Sequence, residues 1–261
     1  MIREIFRLEG QELRRMVTSL QFWLAVCGVT FLYYITSHMG TVSYQAVLIR
    51  VLEIPMGGVG GMAVWAVVVY PTMSRMLQEL EHRYYMPILT RTSRTSYLAS
   101  RILFVYVGTM LTEYTALVLY VLVSLLSLPM GSAEVVTFLG YHPAYLGLMA
   151  YPWLYLLVVF VQFSCLTGTL SLIALLTLLY RPNLMMACIT PILFLYLEDY
   201  VLQRILGWPR YKSIALYEAA YMSIAENIET SCILGYIQML IVSVIAVLLI
   251  KKVFRWRVEH G

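Results

Sequence analysis

The chain is 261 residues long, 61% hydrophobic and only 12% charged, with a mean hydropathy of +0.79. Soluble domains devote about a quarter of their residues to Asp, Glu, Lys and Arg, so composition excludes that class and points to lipid. The net charge of +4 belongs to membrane topology and anionic lipid, not to nucleic acid.

In chain order, residues 2–16 set Ile2, Ile5, Phe6, Leu13 and Met16 on one helical face, with Arg3, Arg7, Glu12 and Arg14 elsewhere. That arrangement predicts an amphipathic helix lying on the inner membrane surface; a frayed tail is the plainer alternative. A cleaved signal is not expected, because the apolar run beginning near Thr18 is too long for one and further spans follow. Six apolar stretches, at about 18–37, 57–77, 102–127, 151–180, 184–200 and 231–250, are long enough to cross a bilayer, which takes roughly 20 helical residues. Each reads as a helix, because strand alternation is absent and a backbone in lipid has to satisfy its own hydrogen bonds. The expected fold is an all-α membrane protein, a single transmembrane domain over 1–261 with six spans. With the N-terminus inside, 14 of the 18 lysines and arginines fall on the inner side. Both termini are therefore expected in the cytoplasm, on a multi-pass protein of the cell membrane.

The stretch Arg75–Arg101 is the one long, strongly basic interruption, with five arginines and two glutamates. Glu79, Glu81 and Arg83 continue the second span as a polar helical extension. Met86, preceding Pro87, is biased away from helix and marks a break, and Pro87 suits the first position of a second short helix. Ile88, Leu89 and Tyr97 with Arg91, Arg94 and Arg101 make the rest a basic amphipathic connector. It reads either as a positive loop that binds lipid headgroups or as a coupling helix that enters a cleft on an ATPase subunit.

Glu113 falls near the middle of the third span, where an ionisable group is expensive and needs protein or water around it. It lines or gates a translocation path, or it hydrogen-bonds a tyrosine or threonine hydroxyl on a neighbouring helix. Gln21 and Gln162 read as interhelical hydrogen-bonding groups. Gly57 and Gly61 form a GxxxG that either packs closely or loosens the start of the second span. Tyr33, Tyr34, Tyr70, Tyr151, Trp153, Tyr180, Tyr196 and Tyr200 sit near span ends, as an aromatic belt does. Tyr106, Tyr114, Tyr120 and Tyr155 lie deeper, as helix contacts or as lining for an amphipathic substrate. Residues 212–228 read as an outer amphipathic helix with Ile214, Tyr217, Tyr221, Ile224 and Ile228 on one face, or as an exposed loop.

Catalytic signatures are missing. No glycine is followed by lysine, so there is no P-loop. The four histidines are scattered without metal-ligand spacing. Cys27, Cys165, Cys188 and Cys232 all fall in expected spans without a CxxC, and read as apolar thiols. The chain is expected to be no enzyme and to hold no cofactor or metal of its own.

In layout and in one loop the chain resembles the permease subunits of ABC-2 type transporters, which have the type V exporter fold. The layout is the length, six spans with both ends inside, and an amphipathic N-terminal helix. The loop shows Glu81 and Arg83, then Ile88-Leu89-Thr90-Arg91-Thr92-Ser93-Arg94, then Arg101, where such permeases carry an acidic residue and arginine, a Leu-Leu-x-x-Pro-x-Ser-Arg stretch and a basic residue. It departs from them in having Tyr84-Tyr85 for the usual glycine–threonine pair and in the place of its proline. The resemblance implies an ATP-driven exporter of two permease chains, identical or homologous, and two ABC ATPase subunits that bind ATP and Mg. It implies an ATPase-docking region of Glu79, Glu81, Arg83, Tyr84, Tyr85, Pro87, Ile88, Leu89, Arg91 and Arg94, with Glu113 on the translocation path. Small permeases of this layout resemble exporters of amphipathic or antimicrobial peptides, including phenol-soluble modulins and lantibiotics. A self-contained secondary transporter or channel is the alternative class, and an intramembrane enzyme a third that lacks paired catalytic groups.

Overall fold

The computed structural model describes residues 2–39, 47, 58–82, 84, 86–87, 90, 93–130, 152–201 and 228–260. Among these residues the regular structure is all helical. The helices are α1 (Ile2–Val17), α2 (Leu20–Met39), α3 (Gly58–Glu81), α4 (Arg94–Ser124), α5 (Pro152–Tyr180), α6 (Leu184–Asp199) and α7 (Ile228–His260). Each apolar stretch of the sequence lies largely within one of α2 to α7, and the amphipathic N-terminal segment is α1.

Four helices, α2, α4, α5 and α7, are long and apolar enough to cross a membrane. α3 and α6 fall short for separate reasons. The last turns of α3 carry Ser74, Arg75, Gln78 and Glu79, which dilute its apolar run. α6 has 16 residues, about 24 Å of helix against a hydrocarbon core of about 30 Å. Both also contain an internal proline, Pro71 and Pro191. Hydroxyls hydrogen-bond carbonyls beside them: Thr72 Oγ1 donates to Val69 O at 2.9 Å, and Thr190 Oγ1 to Met186 O at 2.7 Å. Neighbouring Ser and Thr are one of the means by which such helices tolerate proline.

The helix starts are set locally. Ser93 caps α4 by accepting from the Ser96 N–H at 3.1 Å, and Asn183 caps α6 by accepting from Met186 N–H at 3.1 Å. Each side-chain oxygen satisfies a donor that the first turn leaves unpaired. α4 therefore begins at Arg94, eight residues before the apolar span at 102.

α5 is the centre of the bundle, packed by α4, α7, α6 and α3. α2 lies against α3 and α4, and α1 against the α4 side. Two glycines permit close approach. A Cβ on Gly108 of α4 would come within 2.8 Å of the Thr72 methyl on α3 and 3.1 Å of Met16 Sδ on α1. A Cβ on Gly168 of α5 would come within 2.9 Å of Met110 on α4. Polar side chains join the helices elsewhere, as in membrane bundles. Thr72 and Thr109 hydroxyls lie 3.1 Å apart, Thr169 and Ser243 3.2 Å, and Ser74 donates to Gln21 at 3.3 Å. α7 packs mainly along α5 and leaves Leu240, Ile241, Val244, Ile245 and Leu248 exposed, an apolar row suited to lipid.

The aromatic residues divide. Tyr34, Tyr70, Trp153, Tyr180, Tyr196 and Tyr200 are exposed, as belt residues are. Tyr33 is 2% exposed and is an interior residue instead, because its hydroxyl has a buried partner. Tyr120 is also fully buried. Cys27, Cys165 and Cys188 are free thiols. The outer segment 212–227, Tyr151 and Gly57 lie outside the described residues.

Candidate functional site

The helices α3 and α4 run antiparallel and meet at one end of the bundle, where the segment Arg75–Arg101 joins them. Glu79, in the last turns of α3, accepts from Arg101 Nη2 at 2.7 Å and from the Tyr97 hydroxyl at 2.9 Å. Tyr97 and Arg101 are i and i+4 on α4, so both reach the same oxygen from one helical face. The pair is nearly dry, with side-chain exposures of 10% for Arg101 and 12% for Glu79. The guanidinium also lies 5.2 Å from the Tyr97 ring centre. Burial pushes the Glu79 carboxyl up, and the Arg101 charge and the two hydrogen bonds pull it back. Arg101 is therefore what keeps a carboxylate at this depth.

α1 is tied to the same end. Arg75 Nη2 donates to Arg15 O at 2.8 Å, and its Nη1 stands 3.9 Å from Glu12. Met16, fully buried, fills the space beside Gly108. Tyr97 packs against Phe254 of α7 with ring centres 5.8 Å apart, and Arg257 of α7 donates to Leu179 O of α5 at 2.8 Å. The base of the connecting segment is thus held by α1, α3 and α7 besides α4, with α7 in turn tied to α5.

Its tip is different. Glu81, His82, Tyr84, Met86, Pro87, Thr90, Ser93 and Arg94 are exposed. The His82 and Tyr84 rings stack at 5.4 Å and 10°. Met86 and Pro87 both occupy a helical turn, closed by Thr90 N–H to Met86 O at 3.3 Å and Thr90 Oγ1 to Pro87 O at 2.8 Å. The break thus precedes Met86; the residue before the proline is helical, contrary to its usual bias. Of the residues expected to dock, Glu81, Tyr84, Pro87 and Arg94 present themselves outward, whereas Glu79 is turned inward to Arg101. Arg83, Tyr85, Ile88, Leu89 and Arg91 lie outside the described residues.

Glu113 stands apart, about 18 Å along α4 from Arg101 by helical rise. It is 0% exposed and accepts a hydrogen bond from the Tyr33 hydroxyl of α2. Its Oε2 has no partner among the described residues. Tyr33 packs edge-on to Tyr120 at 5.8 Å, and Thr30 Oγ1 donates to Ala116 O at 3.2 Å beside it. This arrangement joins the carboxyl to a phenol and, among the described residues, places no basic side chain beside it. Among the described residues, no three His, Cys, Asp or Glu side chains are grouped to hold a metal ion.

The residues that sequence reasoning passed over are Tyr97 and Arg101 as partners of Glu79, and Tyr33 as the partner of Glu113. A signal for the first existed: Glu79 and Arg101 lie eleven residues on either side of Thr90, and antiparallel helices bring such positions side by side. No comparable signal marks Tyr33. Comparison with models of known families, with curated proteins and with solved structures yields no match to this chain.

Proposed function

We propose that this chain is the membrane-spanning permease subunit of an ATP-driven exporter, of the ABC-2 kind, working as a pair of permeases with two separate ATPase subunits. In this reading all of α2 to α7 span the cell membrane and both termini are cytoplasmic. The cargo is an amphipathic peptide moving between apolar helices. ATP and Mg act in the partner subunits, and the bundle alternates because each nucleotide state favours a different arrangement.

The observation that carries the proposal is the contrast within Arg75–Arg101. An exposed tip with Glu81, Tyr84, Met86 and Arg94 stands on a base clamped by the buried Glu79–Arg101 pair. A surface mounted in this way transmits a push instead of absorbing it. The test is whether an adjacent reading frame encodes a P-loop ATPase and whether this chain co-purifies with it, with hydrolysis as the second readout. Replacing Glu81 and Tyr84 by alanine is expected to weaken capture of the ATPase tenfold or more, on the order of a hot-spot loss. Thermal unfolding should stay within about 0.5 kcal/mol, as for exposed sites in general. Capture and hydrolysis that are both unchanged would refute the docking role.

The Glu113 oxygen that has no partner among the described residues favours a second reading, a self-contained proton-coupled transporter. Peptide movement in vesicles holding this chain alone, driven by a pH gradient and lost in Glu113→Gln, would establish that reading over the first.

A further inference from the structure

A cleft of about 870 Å³ opens between the first turns of α4 and the last turns of α7. Its size is that of a small-molecule site, roughly 300–1,000 Å³. Ile102, Val247 and Phe254 give it apolar walls, Arg94, Lys251 and Arg255 line it with positive charge, and no acidic side chain lines it. Three other cations at this end of the bundle are held by partners: Arg101 by Glu79, Arg75 by Glu12 and Arg15 O, Arg257 by Leu179 O. Among the described residues, Arg94, Lys251 and Arg255 form no ion pair. Lys251 and Arg255 are also i and i+4 on α7, a like-charge repulsion that an anion between them relieves.

The charge and the apolar surface are graded along the helices. Val247 and Arg255 are two turns apart, about 12 Å, and the cleft passes from cationic to apolar over that distance. A free anion would leave the apolar part unused. A second copy of the chain meeting this face about a two-fold axis would bring like charges together, since such an interface sets the same patch against itself. Basic pockets between membrane helices suit anionic headgroups. We propose that the cleft binds one anionic phospholipid, its phosphate among Arg94, Lys251 and Arg255 and an acyl chain against Ile102, Val247 and Phe254. This site needs no ATPase and is independent of the export reading.

The test is native mass spectrometry of the detergent-purified chain titrated with phosphatidylglycerol, with phosphatidylcholine of the same acyl chains, and with glycerol phosphate. One phosphatidylglycerol is expected to bind per chain in preference to phosphatidylcholine, with glycerol phosphate not retained. Each of Arg94→Gln, Lys251→Gln and Arg255→Gln should weaken it about fivefold, and the three together on the order of a hundredfold. Val247→Trp, which fills the apolar part and leaves every charge in place, should also abolish retention. Preference kept in the triple variant, occupancy unchanged in Val247→Trp, or glycerol phosphate retained as well as the intact lipid would each overturn the site. So would a change in dimer fraction in Val247→Trp with lipid occupancy unaltered, which would assign the cleft to a second copy.

Discussion

Two buried carboxylates about as far apart as half a bilayer show two ways of keeping an acid inside a helical bundle. Glu79 has a guanidinium and a phenol on one oxygen; Glu113 has a phenol alone. Near the end of α3, beyond its apolar run, the fold supplies a full counter-charge. Deep in α4, where a second charge would be costly to desolvate, it supplies only a neutral donor. Glu79 is thus built to stay ionised, and its role is to fasten. Glu113 has no such counter-charge among the described residues.

The comparison breaks most sharply at Arg101. Arg101→Ala leaves the Glu79 carboxylate buried without its cation, a loss expected to cost about 3–5 kcal/mol, read as thermal unfolding in detergent. The sign of its pH dependence follows from the burial that already pushes Glu79 up. Without Arg101 the folded-state carboxyl rises further above its unfolded value, so stability is greatest at low pH and is lost as pH climbs through the raised value. The variant should therefore be closer to the parent protein at pH 5 than at pH 8. A defect equal at both values would mean that Glu79 is not the group left uncompensated.

A smaller effect is expected at Gly108, on α4 between the two carboxylates. Gly108→Ala forces a methyl against Thr72, which is fixed by bonds to Val69 O and Thr109, and overpacking of this kind costs about 1–3 kcal/mol. Unfolding unaffected by Gly108→Ala would show the seam between α1, α3 and α4 to be loose. The smallest effect belongs to Glu113→Gln, which keeps an acceptor for Tyr33 and removes the charge, and should change stability by less than about 1 kcal/mol. Tyr33→Phe, which takes away the only donor described for Glu113, should cost more than Glu113→Gln. The reverse order would mean that the carboxyl depends on a group other than Tyr33.

Much of this architecture is legible in the sequence because a long apolar run has essentially one conformation open to it in lipid. The helix positions therefore follow the apolar stretches closely. Where the helix start is set by a cap instead of by hydropathy, as at Ser93, an apolar count places it too late. Rotation about each axis is the harder quantity. In α2, α4 and α5 the apolar residues go all the way round, so no periodicity says which side faces α2 or α5, and Tyr33 therefore read as a belt residue. Glu79 read as an exposed docking group for a related reason: a charged residue beyond an apolar run looks solvated until its partner on the next helix is known. The antiparallel register about Thr90 also sets Thr72 opposite Gly108, one residue from the Thr109 hydroxyl that it meets, so that part of the pairing could be counted out. The same count sets Glu113 beside Val67 and Val68, and the carboxyl instead turns to α2.

The length of α4 has a consequence of its own. Its 31 residues make a rod about 46 Å long, some 16 Å more than the hydrocarbon core. A ten-degree tilt displaces one end relative to the other by about 8 Å. Because Glu79 and Arg101 fasten the projecting end to α3, and Met16 seats α1 against it, a force there is borne by three helices at once. The Glu113 carboxyl, two-thirds of the way along, is then on the far arm of a lever whose handle is the polar first turns of α4.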